Sequence, residues 1–160
     1  MSNPSFQTYL QAAVVAAVIA TVANTVIFLV GQALQVDFMV QFPGATDLQP
    51  VQLAMVAVSS VVPVAVAVVL LAVLQRLVVA GMKVFESIAV IVLILSLIPL
   101  WLSPANIATT TSLSLMHLAA FAATVGVFKL KLAGRQDGGQ PGHQSGHQLG
   151  RPAATSDTAA

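Results

Sequence analysis

Four long apolar stretches, separated by short polar or proline-containing segments, constrain this chain more than any other feature. They cover residues 10–33, 51–74, 84–102 and 107–128. A stretch of about 18 or more apolar residues spans a bilayer core roughly 30 Å thick. Only 7% of the residues are charged, against about a quarter in an ordinary soluble domain. A water-facing shell cannot be built from so few charges. The expected fold is all-α, a polytopic bundle of four transmembrane helices.

The first stretch could be mistaken for a signal peptide, with Thr21 and Ala23 as a small-x-small pair, but two features argue against one. Residues 1–9 hold no Lys or Arg, and the apolar run exceeds the usual length of a signal core. An uncleaved first helix, preceded by a short N-terminal segment (1–9), is therefore expected. Residues 133–160 are rich in Gly, Gln and Pro and lack the apolar content that folding requires. They are expected to form a disordered tail beyond a membrane domain at 10–132.

All six Lys and Arg fall after the second or the fourth stretch, while the segments after the first and third carry none. The positive-inside rule then places both termini in the cytoplasm. Net charge is +1, so no electrostatic footprint for nucleic acid exists. Cysteine is absent, which excludes disulfides and thiolate-bound metal.

Helix one carries a row of small residues, Ala12, Ala16 and Ala20, continued by Asn24, with Ala13, Ala17, Thr21 and Thr25 beside it. Such rows let helix backbones approach closely in lipid. This face is expected to meet another helix, within the chain or in a partner. Helix two contains Pro63, and Pro99 lies near the end of helix three. Both are expected to kink or break their helices. Ser59 and Ser60, one turn before Pro63, are placed to serve the carbonyl it frees. Phe38 and Phe42 suit the headgroup level, Pro43-Gly44 a turn, and Pro50 the first turn of helix two. Glu86, in the expected first turn of helix three, suits the helix dipole and an interfacial ion pair with Lys83 or Arg76.

His117 stands in an otherwise apolar segment. Thr110, Ser114, His117 and Thr124 share one side of helix four. Counting residues from the helix ends puts Asn24, Ser59, Ser60 and His117 at similar depth, near the midplane. Asn24, Ser60 and His117 are expected to converge on one buried polar cluster. A neutral imidazole there either holds helix register through hydrogen bonds or moves protons, binds metal or ligates haem. No mid-span carboxylate accompanies it to orient or charge the ring. His143 and His147 have an i,i+4 spacing in a Gly-rich stretch, where that spacing builds no metal site. We expect no catalytic residue, no metal and no cofactor.

Several ordered features resemble a known family. They are Asn24 followed by LVGQALQVDF, Pro63, the segment VFESIAVIVLILSLIPL, and SLMHLAA around His117. Over about residues 8–132 the chain resembles small four-helix membrane proteins of actinobacterial type, grouped as a domain of unknown function. The resemblance implies four helices and a bacterial cytoplasmic membrane, and it implies no activity. The expected function is non-enzymatic, through packing with a second copy (a homodimer) or with another membrane protein. The alternative is a small transporter or proton-coupled permease using the midplane cluster.

Overall fold

The computed structural model of the chain describes residues 5–41 and 44–133. Helix α1 (Phe6–Ala33) starts four residues earlier than the apolar run, because Ser5 caps it: the Ser5 side chain accepts from Thr8 N. Such a cap satisfies one of the amides a helix leaves unbonded at its start. A two-residue antiparallel ladder follows, β1 (Met39–Val40) on β2 (Gln49–Pro50), with Met39 opposite Pro50. Pro50 therefore belongs to the ladder and not to the first turn of helix two. Three more helices follow among the described residues: α2 (Leu53–Leu77), α3 (Gly81–Leu102) and α4 (Ile107–Phe128), the last continued by a π-turn over Lys129–Ala133. Each of the four helices is long and apolar enough to cross a membrane.

The link between α2 and α3 is only three residues, Val78, Val79 and Ala80. The charges expected in that loop lie inside helices, Arg76 in the last turn of α2 and Lys83 near the start of α3. Both prolines are accommodated within continuous helices. Neither serine serves the carbonyl freed by Pro63, which is that of Ser59. Ser59 and Ser60 both donate to Val56 O, at 3.1 and 2.7 Å.

The helices form a ring in chain order. α1 packs against α2 and α4, and α3 closes the far side against the same two. The core lies in two layers. At the end bearing Arg76 and Lys83, Ala12, Ala16, Val64, Leu71, Phe85, Phe128 and Leu132 pack together. Phe85 and Phe128 meet there with ring centroids 5.8 Å apart. At the hairpin end, Phe28, Phe38, Val56 and Met116 form a second cluster. Phe38 is thus a core residue, 2% exposed, and not a headgroup anchor. Phe42 and Pro43, like residues 134–160, lie outside the described residues.

Two reversals bring Phe38 inward. α1 ends in a Schellman arrangement, with Val36 N donating to Gly31 O and Gln35 N to Gln32 O. Gln35 takes the left-handed conformation (φ 58°) that this motif requires. For a non-glycine residue this costs about 1–2 kcal/mol. Gln35 is exposed, so its side chain returns nothing from burial. Gln35→Gly is expected to stabilise the bundle by about 0.5–1 kcal/mol, part of the relief being offset by glycine's larger unfolded-state entropy. Reversible unfolding in mixed detergent micelles checks this, and an unchanged midpoint would contradict the strain.

A buried polar layer between two apolar clusters

The row of small residues on α1 is spent inside the chain. Ala12, Ala16 and Ala20 are completely buried, and Asn24 and Phe28 continue the same line at the same four-residue interval. Their neighbours are the other helices of this bundle. Small side chains there let α1 sit close to two helices at once, the geometry such rows permit.

Asn24 and Ser60 meet between the two apolar clusters. Asn24 Nδ2 donates to Ser60 Oγ at 2.9 Å, and the Ser60 hydroxyl donates onward to Val56 O. The two residues are 5% and 0% exposed. Equal depth on antiparallel neighbours α1 and α2 makes the contact, and an i−4 back-bond fixes the serine rotamer.

His117 does not join them. Its Nδ1 lies 2.8 Å from Leu113 O, one turn back on its own helix. A carbonyl only accepts, so Nδ1 carries a hydrogen and a neutral ring keeps Nε2 as its acceptor. The ring is half-buried, while Met116 beside it fills the core. Ser59 is exposed. Successive helical residues differ by about 100° in direction, so Ser59 cannot share the inward face that Ser60 occupies. The expected cluster of Asn24, Ser60 and His117 is therefore an Asn24–Ser60 pair with His117 bonded separately.

Two hydroxyls on α4, those of Ser114 and Thr124, follow the pattern of His117. Ser114 donates to Thr110 O at 2.8 Å and Thr124 to Ala120 O at 2.7 Å. Three buried side-chain oxygens among the described residues have no hydrogen-bond partner: Thr21 Oγ1, Asn24 Oδ1 and Thr109 Oγ1. No group of three or more His, Cys, Asp or Glu suited to a metal occurs among the described residues. His143 and His147 lie outside them.

Glu86 pairs with neither Lys83 nor Arg76. It meets Lys129, the first residue of the π-turn that continues α4, Nζ to Oε2 at 2.9 Å. Glu86 is the sixth residue of α3, beyond the first turn where the dipole acts. Its partner comes from the helix packed alongside, at matching depth. Nearby, the Tyr9 hydroxyl donates to Gln75 Oε1, joining α1 to α2. At the hairpin end Asn106 caps α4 by accepting from Thr109 N at 2.8 Å. Its Nδ2 lies 3.5 Å from Asp37 Oδ2.

The Asn24–Ser60 bond has a measurable weight. Interhelical polar pairs in membrane proteins average about 0.6 kcal/mol, with a maximum near 1.7. A double-mutant cycle of Asn24→Ala and Ser60→Ala is expected to give a coupling in that range. The same cycle between Asn24→Ala and His117→Ala is expected to give none. Coupling to His117 equal to that with Ser60 would restore the three-residue cluster.

Comparisons with curated proteins and with solved structures each gave no match. The model of a family described as "Family of unknown function (DUF6069)" matches residues 4–134, most of the chain. The four-helix core lies within that match, and the chain belongs to this family.

Proposed function

We propose that the chain is a multi-pass protein of the bacterial cytoplasmic membrane that acts without catalysis, by packing against another membrane protein or a second copy. Its basic end then faces the cytoplasm. Arg76, Lys83, Lys129 and Lys131 gather at that end, and Asp37 and Asp47 belong to the opposite hairpin. The positive-inside rule supports both termini in the cytoplasm.

One observation carries the packing role. α3 is 22 residues long, yet only Gly81 and Phe85 of it are buried. Ile91, Leu95 and Ile98 recur at heptad spacing on its exposed surface. α3 is the least buried of the four spans, 6% against 17–22% in the others, so it has the most surface left for a partner helix. A photo-crosslinker at Leu95 in native membranes is expected to capture a protein, while one at buried Ala16 captures none. An uncoupled, strictly monomeric product at Leu95 would count against the role.

The second reading, a small transporter or proton-coupled permease, draws support from the unpartnered Thr21 and Asn24 oxygens. Water or a proton entering the polar layer would find acceptors there. Titration of the His117 imidazole by NMR separates the two. A ring silent from pH 5 to 8 belongs to a closed bundle, and one that titrates means that water reaches α4 at mid-depth.

A further inference from the structure

The basic end of the bundle mixes side chains that water alone does not accommodate. Arg76 closes α2 and Lys83 lies near the start of α3. Between them Leu77 is 77% exposed and Val79 fully exposed. The π-turn repeats the pattern, with Leu130 83% exposed between Lys129 and Lys131. Glu86 is the only carboxylate among the described residues at this end, and Lys129 takes it. Among the described residues, Arg76, Lys83 and Lys131 are exposed bases without an acidic partner.

Bare apolar tips interleaved with bases satisfy both their requirements at one place, the boundary between headgroups and acyl chains. The length of α2 agrees. Its 25 residues rise about 37 Å, more than the roughly 30 Å hydrocarbon core, so its last turn, which carries Arg76, has length to spare for reaching the headgroups.

We propose that this end is a binding surface for anionic phospholipid. Arg76, Lys83 and Lys131 take the phosphodiester groups, while Leu77, Val79 and Leu130 sink to the acyl boundary. This rests on the membrane placement proposed above. A soluble phosphate compound would leave the apolar tips in water. An acidic protein segment would meet single projecting apolar side chains here, Leu77, Val79 and Leu130, among the described residues.

Native mass spectrometry of the full chain tests the proposal, with the protein released from micelles holding equal phosphatidylglycerol and phosphatidylcholine. The chain is expected to retain the anionic lipid preferentially. Arg76→Gln/Lys83→Gln is expected to cut that preference by about fivefold per base removed. Arg76→Lys/Lys83→Arg, with the charge kept, is expected to restore it. Leu77→Ser/Val79→Ser is expected to weaken retention of the lipid while leaving the helix content by circular dichroism unchanged.

Equal retention of both lipids by the native chain overturns the proposal, as does a preference that survives loss of both bases. Displacement of the lipid by millimolar glycerol 3-phosphate would identify a soluble-anion site instead. Displacement by an acidic polypeptide would identify a protein surface. Extraction of the chain from vesicles by carbonate would overturn the membrane placement along with this proposal. An inserted chain without lipid preference would overturn this proposal alone.

Discussion

Gly81→Ala is expected to lower the unfolding free energy of the bundle by about 3 kcal/mol, the upper part of the usual range for overpacking. A Cβ at this position would lie 2.8 Å from Gln75 Cα, 2.8 Å from Leu74 O and 2.9 Å from Gln75 N. All three are backbone atoms of the last turns of α2, so no side chain can rotate away. Leu74 O also accepts from Val78 N at 2.9 Å, the bond that terminates α2. Moving it aside breaks the turn that brings α3 back onto the bundle. Gly81 and Phe85 are the buried residues of α3, so the damage falls where that helix is seated. Gly126→Ala in α4 is the matched control. Nothing lies within 4 Å of a Cβ there, and a helix-interior Gly→Ala exchange is worth about 0.5–1 kcal/mol in the stabilising direction. Both variants are measured by reversible unfolding in mixed micelles. Equal midpoints would mean that α2 and α3 do not approach as closely as the structure has them.

The same two helices show where sequence reasoning stops. Four apolar blocks of sufficient length require four helices, and a four-residue recurrence on α1 marks Ala12, Ala16, Ala20 and Asn24 as one face. That face is buried. Counting residues from the helix ends also brings Asn24 level with Ser60, and the two bond. Depth is legible because rise per residue is constant. Rotation is not, because a helix apolar all round has no polar face to mark its outside. Ser59 and Ser60 have nearly the same depth, and only the fold decides which one turns inward. His117 resolves its polarity with a carbonyl one turn away, a local solution that leaves no trace in spacing. The Glu86–Lys129 pair was within reach of the depth argument, since an acid near the start of α3 and a base at the end of α4 lie level in antiparallel neighbours. The α2–α3 turn falls inside the interval 75–83 left between the two apolar stretches, but its bounds were hidden because its residues, Val78, Val79 and Ala80, are as apolar as the helices they join.

Phe38→Ala is expected to cost about 3–5 kcal/mol, the usual penalty for emptying a buried phenylalanine site. The ring packs on Phe28 with centroids 4.7 Å apart and lies against Gly31. Its backbone sits at φ 46°, a conformation that is an outlier for a bulky residue. The connection between α1 and α2 carries that strain, and burial of the aromatic ring offsets it. Neither Gln35 nor Phe38 is a glycine, so the double reversal has no signal in composition. Gly31 supplies the room. A Cβ on Gly31 would stand 2.5 Å from Phe38 Cζ and 2.7 Å from Cε2. The ring is enclosed by Phe28, Val56 and Met116 and cannot swing clear. Gly31→Ala alone is therefore expected to cost about 2 kcal/mol, as overpacking does. In a Phe38→Ala background the clash is gone, and the same exchange is expected to be neutral or stabilising by about 0.5 kcal/mol. A double-mutant cycle on unfolding midpoints reads the difference directly. Additive single effects would place the Phe38 ring away from Gly31, and the hairpin end would then have to be held by Phe28, Val56 and Met116 alone.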